Sequence, residues 1–68
     1  MDYSTQVKSI RESLLITQIE LAKKLGVSFA TVNRWEKGHH EPTITQKRKI
    51  RDFCKKNGIT WEVKENGF

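Results

Sequence analysis

A chain of 68 residues allows one domain, and a deep catalytic cleft would consume the small core that such a domain can bury. The formal net charge is +5, from 13 Lys/Arg against 8 Asp/Glu, which favours an anionic partner. No apolar run approaches the roughly 20 residues of a membrane span, and the single cysteine, Cys54, excludes an intramolecular disulfide and fits a reducing cytoplasm.

The first predicted helix runs from about Ser4 to Ser13, with Val7, Ile10 and Leu14 on one face. Leu15 and Ile16 follow without polar interruption and read as a buried connection. The second helix starts at a capping box, Thr17-Gln18-Ile19-Glu20, in which threonine and glutamate each satisfy the other's free amide. Leu21, Ala22 and Leu25 share its inner face, and Gly26 ends it. Ile19 projects outward as a lone exposed apolar residue. Only Val27 separates Gly26 from Ser28, the next cap. The third helix then reads Phe29 to Lys37 and stops at Gly38. Two short helices flanking a glycine-containing turn of about three residues make a helix-turn-helix, with a crossing of roughly 90–120°. Ala22 is small where the helices approach, and Val27 is placed to plug the corner.

Residues 39–42 read as a loop. Thr43-Ile44-Thr45-Gln46 is a second capping box, and a fourth helix runs to about Asn57 with Ile50, Phe53 and Cys54 inward, ending at Gly58. Ile59, Trp61 and Val63 alternate with Thr60, Glu62 and Lys64, the period of a half-buried strand. The expected fold is therefore all-α, a helical domain over residues 1–57 with a strand-like tail over 58–68. Trp61 and Phe68 either lid the core or form a contact with a second copy or a protein partner.

The charge is uneven. Residues 37–56 hold seven basic and two acidic side chains, whereas residues 1–36 hold five and four. On the third helix, Val32 and Trp35 cluster inward while Ala30, Asn33, Arg34 and Lys37 face out, with Phe29 on the flank. Asn pairs with both adenine edge atoms and Arg with both guanine edge atoms, while Ala or Phe meets a thymine methyl. On a helix held out by a turn, this face suits the major groove of double-stranded DNA. Gln18, at a helix N-terminus with free amides, is a candidate phosphate contact. The amides around Thr43 and Ile44 are another, flanked by Lys37, His39, His40, Lys47 and Arg48. His39 and His40 are set aside as metal ligands because adjacent residues rarely converge on one ion.

The run T-Q-x-E-L-A-K-K-L-G-V-S, then V-N-R-W-E-K-G, then E-P, from Thr17 to Pro42, resembles the Cro/C1-type (XRE-like) helix-turn-helix family of phage and bacterial regulators. The resemblance extends upstream to Arg11 and, more loosely, to about Asn57. It implies a lambda-repressor-like bundle of four or five helices, sequence-specific DNA binding without a cofactor, and frequently a two-fold homodimer. By position, Gln18 is similar to the family's phosphate-clamping glutamine, and Ser28, Phe29, Ala30, Asn33 and Arg34 fall where the family meets DNA. Phe29 and Ala30 depart from the amide-rich pair of some phage repressors, so the first bases would be read through methyl contacts or Thr31. Arg11 and Glu36 match positions that pair in the family, which implies a partly buried salt bridge. The alternative is a protein-interaction module, such as an antitoxin or anti-repressor, that uses the same bundle.

Overall fold

Caps set where each helix begins. Thr17 and Thr43 both adopt extended backbone conformations and both complete reciprocal boxes. The Thr17 hydroxyl accepts from the Glu20 amide at 3.1 Å while the Glu20 carboxylate accepts from the Thr17 amide at 2.8 Å. Thr43 and Gln46 repeat the arrangement at 3.2 and 2.9 Å. Ser28 caps the helix between them by accepting from the Thr31 amide at 3.1 Å. The computed structural model describes residues 3–60, which form α1 (Tyr3–Ser13), α2 (Gln18–Leu25), α3 (Phe29–Glu36) and α4 (Ile44–Lys56), with no strand among the described residues. The strand-like reading of the tail rests on Trp61, Val63 and neighbours, which, with Phe68, lie outside the described residues.

The helix ends share one device. At each, an amide bonds five residues back and the preceding amide three residues back, the paired bonds of a Schellman motif. The pairs are Ile16 to Arg11 with Leu15 to Glu12, Val27 to Ala22 with Gly26 to Lys23, His39 to Arg34 with Gly38 to Trp35, and Ile59 to Cys54 with Gly58 to Lys55. The motif needs a left-handed residue at its reversal. Gly26, Gly38 and Gly58 supply it with φ of 70–78°, but α1 uses Leu15, at φ 57°. The residue after the reversal turns back onto the bundle. Ile16, Val27 and Ile59 all pack against the core from that position.

Leu15 is therefore not part of a buried connection. The reversal sends its side chain outward and leaves it 91% exposed, while Leu14 and Ile16 on either side are half-buried. A run of three apolar residues across a helix end does not stay on one face.

The core is Val7 and Ile10 from α1, Leu21, Ala22 and Leu25 from α2, Val32 and Trp35 from α3, and Ile50 and Cys54 from α4. Trp35 and Val32, at 1% and 0% exposure, fix the rotation of α3 about its axis. α3 packs against both α1 and α2, and α4 against α2, so α3 is held from behind and its opposite side is bare. No helix among the described residues is long and apolar enough to cross a membrane.

Candidate nucleic-acid interface

With Val32 and Trp35 anchored, the helical repeat turns Phe29, Ala30 and Arg34 outward, and all three are exposed. Asn33 sits beside them, half-buried. Small and apolar side chains thus occupy the first turn of α3, and an amide and a guanidinium occupy the next. That order can offer methyl-sized contacts at one end of the helix and paired hydrogen bonds at the other. Ser28 is exposed at the cap, where its hydroxyl lies 2.8 Å from that of Thr31, so the two hydroxyls share one hydrogen bond.

Behind this face lies a junction that joins three helices. Arg11, in the last turn of α1, donates Nε to Glu36 Oε2 at 2.7 Å and Nη2 to Glu36 Oε1 at 2.9 Å, a two-pronged ion pair to the end of α3. Arg11 Nη1 also donates to the Ile16 carbonyl at 3.4 Å, bracing the α1–α2 turn. Gln18, at the start of α2, donates Nε2 to Glu36 Oε1 at 3.0 Å. The Arg11 and Glu36 side chains are 19% and 6% exposed. Burial pushes the Glu36 carboxyl upward in pKa, but hydrogen bonds from Arg11 and Gln18 and the nearby charges of Arg11 and Lys8 outweigh it and leave the group below its ordinary value. The hydrogen bond to Glu36 raises the Arg11 guanidinium correspondingly.

The Gln18–Glu36 bond has no counterpart in the sequence reading. The partners lie 18 residues apart, and no local spacing rule connects them. The bond fixes one amide hydrogen of Gln18 inward. The capping box meanwhile engages the amides of Thr17 and Glu20, leaving those of Gln18 and Ile19 available at the helix end.

The basic edge follows α3. Lys37, His39 and His40 are exposed in the loop, and Thr43 is exposed at the α4 cap. Thr31, Arg34, His40 and Thr43 line one concavity between α3 and α4. Lys47 is more committed to the fold than its neighbours. Its ammonium donates to Glu41 Oε2 at 3.0 Å and lies 4.8 Å from the centre of the Tyr3 ring. No group of three metal-ligating side chains occurs among the described residues.

Ile19 is exposed, at 54%, but it is not alone: it lines a shared open concavity with Leu15 and Phe29, beside Arg11, Thr17 and Gln18. A helix-turn-helix family model matches residues 7–61 of the chain, which includes all four helices except the first turn of α1. No curated protein and no solved structure matches it significantly.

Proposed function

The chain belongs to the Cro/C1-type helix-turn-helix family of DNA-binding regulators, and from that premise we propose that it is a sequence-specific, double-stranded-DNA-binding transcriptional regulator of cytoplasmic, bacterial or phage origin. α3 enters the major groove. Asn33 and Arg34 read base edges through paired hydrogen bonds, and Phe29 and Ala30 read thymine methyls. Gln18, Ser28 and Thr31 hold the backbone on one side of the groove, and Lys37, His39, His40, Thr43 and Lys47 hold it on the other. Lys47 exchanges its Glu41 contact for a phosphate on binding. The observation that carries this reading is the geometry of α3. Its inward side is fully occupied by Val32 and Trp35, and the side bearing Ala30 and Arg34 is left to solvent at the front of the turn.

Selection of bound duplexes from a random pool, followed by anisotropy titration, tests the assignment. Arg34→Ala costs roughly 1–3 kcal/mol on the selected site and relaxes preference at one position. Binding of wild type falls steeply with added salt, because phosphate contacts release counterions. An unchanged ratio of selected to scrambled DNA in Arg34→Ala overturns the reader assignment. A palindromic selected site identifies a two-fold homodimer. Capture of a protein partner with no DNA-dependent signal would favour the interaction-module reading instead.

A further inference from the structure

Leu15 breaks two local rules at once. It holds the left-handed conformation that the other three helix ends give to glycine, and it exposes 91% of an apolar side chain. A residue that costs stability in both ways is a candidate for a surface that something else covers. Ile19 at 54% exposure and Phe29 at 48% line the same concavity, which is bordered by Thr17 and Gln18 at the α2 N-terminus. The three side chains come from the α1–α2 turn, α2 and α3, so the apolar strip runs from the reading helix outward past Gln18.

We propose that Leu15, Ile19 and Phe29 form an apolar ledge that seats the non-polar parts of one DNA strand. Phe29 packs on a thymine 5-methyl group, and Ile19 and Leu15 pack on the deoxyribose rings flanking the phosphate held at Gln18. The proposal rests on the DNA-binding reading above and deepens it. The occupant follows from continuity. The ledge begins on the first residue of α3 and ends beside the backbone-holding glutamine. In the major groove the thymine methyl is the one apolar group that a base pair presents, and along the strand the sugar is the apolar surface between phosphates. A ledge contact removes apolar area from water and neutralises no phosphate, so its signature differs from that of the basic edge. It changes affinity without changing the salt slope.

The experiment uses the full chain and its selected duplex. Deoxyuridine in place of thymidine removes one methyl group and leaves every hydrogen bond in place. At one or two positions this substitution weakens wild type about fourfold, the effect of one buried methyl-sized group, and Phe29→Ala abolishes the difference. Ile19→Ser and Leu15→Gly each weaken binding about threefold or more with an unchanged dependence on salt. Leu15→Gly melts no lower than wild type, so its weaker binding cannot come from unfolding. Wild-type affinity in both Ile19→Ser and Leu15→Gly overturns the ledge and leaves the DNA-binding reading standing. Indifference to deoxyuridine at every position overturns the ledge together with the methyl contacts of Phe29 and Ala30, and leaves DNA binding through Asn33, Arg34 and the basic edge standing. Absence of any selected duplex removes both. Loss of self-association in place of DNA affinity in these variants assigns the strip to a second copy of the chain and likewise overturns the proposal.

Discussion

Arg11 is the side chain on which most of the architecture behind α3 converges. Its guanidinium spans Glu36 and the Ile16 carbonyl, and its own backbone carbonyl accepts the Ile16 amide. Arg11→Ala leaves a carboxylate that is 6% exposed without its counter-charge, held by the Gln18 amide alone, and should cost on the order of 3–5 kcal/mol, read as a large fall in melting temperature. An unchanged melt would show that the Gln18 amide and water suffice for Glu36. The same junction makes a prediction about acid. Because the folded state holds the Glu36 pKa below its ordinary value, the stabilisation is present in full above about pH 4.3 and is lost as the pH falls through the lower folded value. The gap in melting temperature between wild type and Glu36→Gln should therefore stay constant near neutrality and narrow below about pH 4, and a gap independent of pH would contradict this assignment. The pairing of Arg11 with Glu36 was open to a family resemblance but not to periodicity. The bond from Gln18 was open to neither, since only the packed bundle brings the start of α2 to the end of α3.

Elements were the most legible level, because their boundaries depend on short-range chemistry. The two capping boxes begin α2 and α4 where Thr17 and Thr43 mark them, and Gly26, Gly38 and Gly58 stand at the reversals that end three helices. Apolar spacing placed Leu21, Ala22, Leu25, Val32, Trp35, Ile50 and Cys54 in the core for the same reason: a helix face is a property of the local repeat. Leu15 escapes the local rules, because a helix ends there without its usual glycine and composition alone gives no sign of the turn. Leu15→Gly relieves about 1–2 kcal/mol of left-handed strain, offset by roughly 0.5–1 kcal/mol of backbone entropy in the unfolded chain. The net effect is a gain of roughly 0–1.5 kcal/mol, visible at the middle of that range as a rise of a few degrees in thermal melts. A lower melting temperature would mean that Leu15 is held by contacts that its exposure does not reveal.

At the scale of the molecule, charge and shape divide the labour. The basic residues that give the chain its sign lie mostly in 37–56, beside α3 rather than on it, so under the proposed function attraction to a polyanion and discrimination among sequences fall to different surfaces. Affinity and specificity can then be altered separately by substitution. Cys54 has a consequence of a different kind. It is the only sulfhydryl in the sequence, is wholly enclosed where α4 meets the core, and its thiol is pushed up to about 11 by burial. A thiol-reactive dye at neutral pH meets neither an accessible sulfur nor an appreciable thiolate until the bundle comes apart. The rate of labelling would therefore count openings of the native state, with no engineered probe, and adding DNA should slow that count in proportion to the tightness of binding.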